Sequence, residues 1–231
     1  MTFNPAPADL LTCRLCPRLA TYREEVASTK RRAYANESYW GKPVPGFGDV
    51  QARILLLGLA PGAHGSNRTG RMFTGDASGN FLFPALHRAG FASQAHATSH
   101  DDGMVLTGMF ITAAARCVPP GNKPTRDEVA TCRTWLEYDL TNLLNLKLVL
   151  ALGSIAHDSY LEYLKAQSHK IIKKHYAFGH GNLHQFEGLQ LAPLPLLDAY
   201  HVSFQNTNTG KLTEAMFDDV LALAKTLAGL T

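Results

Sequence analysis

The sequence predicts an α/β protein, a three-layer α/β/α arrangement around a central, mostly parallel sheet. Three observations carry that expectation. Short apolar runs recur along the chain, each bounded by turn residues, as strands buried on both faces require. Segments of helical spacing separate those runs, the alternation expected of parallel strands joined by crossover helices. The chemically unusual loops each follow one of the predicted strands, on the edge where open α/β sheets bind ligands.

The elements follow in chain order. The opening segment, up to about Lys30, has Leu19, Tyr22 and Val26 at helical spacing and Asp9 as its cap. A Gly/Pro-rich loop spans 40–48, and residues 53–59 (RILLLGL) form the first apolar run. Residues 106–115 and 146–152 form two more, and 190–200 a fourth, in which prolines weaken the strand assignment. Helices are expected over 81–89, 126–144, 154–167 and 214–227. Thr125 caps the second of these, and Glu128 three residues on completes a capping box. No repeat or low-complexity tract interrupts the 231 residues, so 1–231 is expected to be one domain.

Composition sets outer limits. Apolar residues make up 45% and charged residues 18%, ordinary values for a packed core. No run approaches the ~20 apolar residues that span a bilayer. The start, MTFNPAPADLL, has no basic stretch ahead of an apolar one, so a reducing cytoplasm is expected. A net charge of +3 permits nucleic-acid binding without demanding it. Lys30-Arg31-Arg32 and the basic run at 170–174 could each touch phosphate or simply form solvated faces.

The chain's 4 cysteines fall into two pairs. Cys13 and Cys16 have two residues between them, so both thiolates can reach one centre from a tight turn; Cys117 and Cys132 lie far downstream with a Pro-Pro-Gly turn between them. In a reducing compartment such pairs more often hold metal than form disulfides. Four thiolates suit either an iron–sulfur cluster or zinc, although a zinc ribbon would repeat the two-residue spacing.

Two cysteine-free loops carry the remaining chemistry. The loop after the first apolar run, GLAPGAHGSNRTGRMFTGD (58–76), is dense in glycine, so its backbone can approach a ligand closely. It matches neither a Walker loop nor a dinucleotide fingerprint. The loop after the last run, HVSFQNTNTGKLT (201–213), opens on a histidine and offers small polar donors, an aromatic ring and a lysine, a set suited to phosphates and a base stack.

Together these residues resemble the uracil-DNA glycosylase superfamily, and in particular its iron–sulfur family 5. Gly58-Leu59-Ala60-Pro61-Gly62 resembles the superfamily's first motif and His201-Val202-Ser203 its last, and the cysteine spacing resembles the cluster ligands of families 4 and 5. The resemblance runs from Cys13 to about Thr213. It implies an enzyme that hydrolyses the N-glycosidic bond of a damaged base in DNA. It implies a [4Fe–4S] cluster held by Cys13, Cys16, Cys117 and Cys132 that acts as a structural clamp. His201 would donate to the departing base, and Phe73 would stack on it; Gly62, Ala63 and Ala113 would complete the base pocket. Ser203, Phe204, Gln205, Asn206 and Lys211 would touch DNA, with Phe204 or Gln205 plugging the duplex. The expected partner is double- or single-stranded DNA, met by a monomer associated with the nucleoid and no membrane.

Two departures from the family pattern sharpen the expectation. Many members carry Asp, Asn or Glu beside the first-motif proline to hold the attacking water, but here Gly62 and Ala63 stand there. The resemblance points instead to Asp76, with Asn122 as its partner; Asp76 could otherwise be a helix cap. Several families place Asn where Ala113 stands, to read the uracil edge. Without it the pocket is expected to accept uracil, some modified pyrimidines and deaminated purines such as hypoxanthine. Two rival readings remain at this point: a non-catalytic, metal-stabilised nucleic-acid module, and a zinc hydrolase of small substrates.

Overall fold

The protein is described by a computed structural model covering residues 4–186 and 193–230. The chain begins with α1 (Ala8–Leu11) and α2 (Pro17–Thr29), followed by the two-residue strand β1 (Phe47–Gly48) and by β2 (Ile54–Gly58). After β2 come α3 (Ser66–Thr69), α4 (Ala77–Arg88), β3 (Met109–Ala113) and α5 (Arg126–Asn142). The second half holds β4 (Leu148–Leu152), α6 (Ser154–Ala166), β5 (Leu183–His184), β6 (Leu196–Ala199), α7 (Phe204–Asn208) and α8 (Glu214–Ala228).

The six strands form one sheet in the order β1-β3-β2-β4-β6-β5. The inner four are parallel, and β1 and β5 are antiparallel edges. Side chains alternate across the sheet as a pleat requires. Ile54, Leu56, Ile111, Leu148, Leu150 and Leu197 enter one core, under α4 and α8. Leu55, Leu57, Phe110, Val149, Ala151 and Leu196 enter the other, under α5 and α6. The expected three-layer architecture is therefore present, with each buried Leu or Ile contributing roughly 1.5–3 kcal/mol.

The topology decides where a ligand can sit. From β2 the chain crosses to β3 on one side, whereas β4 and β6 lie on the other. Connections leaving adjacent strands in opposite directions open a crevice at their carboxyl ends. Gly58, Ala113 and Ala199 end their strands at that edge, and the loops that follow carry most of the residues singled out above.

Several elements differ from expectation. The opening helix is two helices, broken at Thr12–Cys16. Pro17 lacks an N–H and fits the first helical position, so it starts α2 and leaves Cys13 and Cys16 on the intervening turn. Asp9 lies in the first turn of α1, where Pro7 holds the cap position. The helix expected over 81–89 begins earlier, at Ala77, because Asp76 caps it. The run at 106–115 contracts to Met109–Ala113, and Leu106 makes only an isolated bridge with Ala92. Of the run at 190–200, Leu196–Ala199 is strand, and 187–192 lie outside the described residues. The capping box at Thr125 and Glu128 is formed.

Candidate active site and cysteine cavity

A cleft of about 730 Å³ opens at the carboxyl edge of the sheet. Gly62, Ala63, Phe73 and Asp76 line it from the loop after β2, and Ala113 and Asn122 from the end of β3 and the turn beyond. His201, Ser203, Phe204 and Gln205 line it from the loop after β6. Residues far apart in sequence thus meet in one place.

Asp76 holds two roles at once. Its Oδ1 caps α4, accepting from the backbone N–H groups of Ser78 (3.0 Å) and Gly79 (3.1 Å). Its Oδ2 fills space that a side chain elsewhere would take: a Cβ on Gly62 would lie 2.8 Å from it, and a Cβ on Gly65 would collide with it. A carboxylate therefore stands beside Gly62 although position 62 has no side chain. Burial pushes its pKa up, opposed by the Gly79 and Ser78 N–H bonds and by the Arg68 charge.

Phe73 is held in the left-handed backbone region, at φ 54°, an unusual conformation for a bulky residue. Its ring occupies the space above Gly58, where a Cβ would lie 2.8 Å from Cζ. Its carbonyl lies so close to Gly79 that no larger residue fits there. The ring centroid is 6.3 Å from that of His201, which joins the two loops across the cleft.

His201 is largely buried, and burial alone pushes its pKa below the ordinary histidine range. Burial thus favours the neutral imidazole. Asn206 does not line the cleft; its amide donates to the His201 carbonyl at 2.8 Å and so shapes the loop from behind. Ser203 caps α7 by accepting from the Asn206 N–H at 3.4 Å. Lys211 also stands outside the cleft lining, its ammonium 4.9 Å from the Tyr200 ring.

Sequence reasoning missed the braces of the first loop. Arg68 donates to the His64 carbonyl (2.7 Å) and the Gly75 carbonyl (3.1 Å), pairs with Glu37 and stacks 3.9 Å over Tyr34. It ties both ends of the Asp76 loop together. Arg71 makes a bidentate pair with Asp102 at 2.7 and 2.6 Å. His64 lines the cleft and bonds Tyr39 Oη through Nδ1 at 3.0 Å; burial, then the Arg31 and Arg68 charges, push its pKa down. Of the two basic clusters, the first supplies Arg31 to the cleft wall. In the second, Lys173 pairs with Asp158 (2.8 Å) and Glu162 (3.0 Å) as part of a solvated face. The signal for Arg68 was an arginine within a glycine-rich loop, but its partners lie at distances no local pattern reveals.

The four cysteines share a second, smaller cavity with Arg23 and Arg116. Arg23 Nη1 donates to Cys117 Sγ at 2.9 Å, and the Arg116 backbone N–H to Cys132 Sγ at 3.2 Å. Arg23 Nε, Arg116 Nε and Arg116 Nη1 are buried without a hydrogen-bond partner. Burial pushes the Cys132 thiol up to about 12, so only a strong positive partner would keep it a thiolate. Among the described residues no three cysteine sulfurs come within 4.8 Å of one another. Sulfurs around one tetrahedral zinc stand roughly 3.8 Å apart, given Zn–S bonds of about 2.3 Å. The setting is a small, thiol-lined cavity with spare N–H donors at its wall.

Fold and cleft define an α/β protein with a candidate ligand site at a topological switch point, lined by the loops after β2, β3 and β6. Comparison with known proteins specifies it further. Residues 45–225 match the family model described as the uracil DNA glycosylase superfamily. The chain is 52% identical over 225 residues to the type-5 uracil-DNA glycosylase of Thermus thermophilus, covering 96% of each. It is 46% identical over 224 residues to that of Mycobacterium leprae, covering 96% of this chain and 94% of the relative. A type-4 enzyme from Sulfurisphaera tokodaii is 26% identical over 211 residues, covering 90% of this chain and 86% of the relative. The chain belongs to the uracil DNA glycosylase superfamily, on its type-5 branch.

Proposed function

We propose that this protein is a monofunctional DNA glycosylase that hydrolyses the N-glycosidic bond of uracil in DNA and leaves an abasic site for base excision repair. The observation that carries the proposal is the meeting, in one cleft, of the Asp76 carboxylate and His201, with the Phe73 ring beside His201. A base leaving the duplex enters the cleft at a cost of a few kcal/mol of stacking. Stacking on Phe73 returns about 1–3 kcal/mol of that. His201 donates an N–H to the base oxygen on which negative charge develops as the bond breaks. Because that charge is larger in the transition state than in the ground state, the donor accelerates cleavage. Asp76 Oδ2 orients the attacking water and offsets the positive charge on the sugar, with Asn122 as second partner for the water.

Exposure supports a DNA rim beside the cleft. Phe204, 65% exposed at the start of α7, is the wedge that fills the gap left by the base, and Ser203 and Gln205 meet the backbone beside it. Ala113 is buried at the cleft floor and has no amide with which to read a base edge. The pocket therefore accepts modified pyrimidines and hypoxanthine besides uracil, in double- or single-stranded DNA. The protein acts as a monomer, and a nucleoid in a reducing cytoplasm is the setting that suits it.

The cysteine cavity fits a [4Fe–4S] cluster held by Cys13, Cys16, Cys117 and Cys132. That no three cysteine sulfurs among the described residues meet within 4.8 Å favours a cluster over a single zinc, and the unpartnered N–H groups of Arg23 and Arg116 suit an anionic one. When bound it supplies a covalent clamp between the α1–α2 turn and the segment after β3, and no catalytic step. The non-catalytic reading drew its support from the missing acid at Gly62 and Ala63; the Asp76 carboxylate beside Gly62 removes that support. The test is excision from labelled duplexes carrying uracil, hydroxymethyluracil, ethenocytosine or hypoxanthine, with alkali to cut abasic sites. Tight binding without cleavage of any of them would return the binding module to favour.

A further inference from the structure

Behind the His201 loop lies a buried cluster that the proposed chemistry does not use. His157 on α6, His184 on β5 and Asp198 on β6 are 3%, 9% and 0% exposed. Asp198 Oδ1 lies 2.8 Å from His157 Nδ1, and its Oδ2 lies 2.9 Å from His184 Nε2 and accepts from the Gly179 N–H at 3.2 Å. The other nitrogen of His157, Nε2, lies 2.9 Å from the Tyr176 carbonyl. A carbonyl donates nothing, so Nε2 carries a proton. A neutral His157 would then turn a bare Nδ1 lone pair toward a carboxylate oxygen in a dry interior, which is repulsive. Something positive must stand between them, a proton or a metal ion. The distances favour the proton, because ligand atoms around a tetrahedral zinc with bonds of about 2.0–2.1 Å stand roughly 3.3 Å apart.

The cluster is tied to His201 from two directions. Asp198 lies on β6, and His201 follows three residues later, just beyond the end of that strand. On the other side, the His157 backbone N–H donates to the Gly153 carbonyl at 3.1 Å, and the Gly153 N–H to the Ala199 carbonyl at 2.8 Å. Gly153 backs directly onto His201, since a Cβ there would lie 3.2 Å from His201 Cβ. A further histidine, His180, accepts from the Tyr200 N–H at 3.0 Å, one residue before His201.

We propose that His157 is an imidazolium whose buried ion pair with Asp198 fixes the end of β6 and the start of α6, making both positioning residues for His201. This rests on the reading of His201 as the donor to the leaving base. Their substitution is expected to slow the chemical step while leaving DNA binding intact. Removing one partner of a buried pair strands the other charge, whereas replacing both with apolar residues leaves none stranded.

The test has three parts. In ring ¹⁵N–¹H spectra of the wild-type protein at neutral pH, His157 is expected to show protons on both nitrogens. A single ring N–H at His157, or a bound metal that Asp198→Asn releases, overturns the imidazolium. In single-turnover excision from a uracil duplex, Asp198→Asn and the double variant His157→Phe/Asp198→Leu are expected to be about tenfold or more slower. Their duplex Kd is expected to stay within about twofold of wild type. The double variant leaves His184 Nε2 and the Gly179 N–H without their acceptor and is expected to melt below wild type; if it is folded and excises at the wild-type rate, the positioning role is wrong. His201→Ala is run alongside. Were it to excise as wild type does, the reading of His201 itself would fall, while the ring spectra would still decide the protonation of His157.

Discussion

The two walls of the cleft are built in opposite ways. The Asp76 wall is braced from within: Arg68 ties His64 to Gly75, Arg71 is locked to Asp102, and Phe73 and Asp76 press against glycines. The His201 wall is a short helix, α7, with an exposed Phe204 and Gln205 at its start and its order imposed from behind by Asn206. The difference teaches where each part of the work is done. A carboxylate that must hold a water needs fixed geometry before substrate arrives. A wall that must enter a duplex needs exposed apolar surface, which meets its partner only in the complex.

The largest effect is expected at the acid. Asp76→Asn keeps the α4 cap and should slow uracil excision about 10³-fold, within the range for a lost acid–base group, as read in single-turnover assays. The same variant should melt at a higher temperature at neutral pH. Burial raises the Asp76 pKa above its unfolded value, so ionising it destabilises the fold as pH rises through that window, and the amide removes the penalty. An unchanged or lower melting point would mean that Asp76 is not strained by burial. In the wild-type protein, excision should show an acid limb displaced upward from the usual carboxylate range, because protonated Asp76 cannot hold the water, and Asp76→Asn should lack that limb.

His201→Ala comes next, with a loss of about 10²–10³ in the rate of excision, as for other donors to a developing anion. A drop of only a few-fold would make the Asp76 wall sufficient by itself. Gly65→Ala tests the bracing without touching a reactive group: its methyl displaces Asp76 Oδ2, and excision should fall by about 10² with little change in DNA affinity. Ala113→Asn should shift the ratio of uracil to hypoxanthine excision toward uracil by about tenfold, since a bidentate amide is worth roughly 1–3 kcal/mol of discrimination. The smallest change is expected at the exposed wall. Phe204→Ala should weaken binding to a uracil duplex by about five- to tenfold, near the lower end of a lost stacking contact, and should matter less on single strands. Equal losses on both substrates would rule out Phe204 as the wedge.

The parallel strands were legible because runs such as RILLLGL have no polar face to offer water. β1 and β5 were not, since two residues make no periodic pattern. The break between α1 and α2 could have been read from Pro17 following Cys16, by the preference of proline for a first helical turn. In the cleft, Asp76 and His201 could be singled out by type and by position after a strand. The dual role of Asp76 could not, because it depends on Gly62 and Gly65 leaving room for Oδ2. Asn206 also donates to the His201 carbonyl and Lys211 also stands against the Tyr200 ring, contacts that no local pattern announces. His157, His184 and Asp198 are scattered over more than forty residues and carry no local motif at all.

The two-residue edges of the sheet have a consequence for contact between neighbouring chains. A parallel sheet that ended on β3 and β6 would present long unpaired ladders to any neighbouring chain, an invitation to add strands and aggregate. β1 and β5 cover those flanks with antiparallel stubs too short to template another strand. The flanks of the sheet then offer a neighbouring chain little to add a strand to.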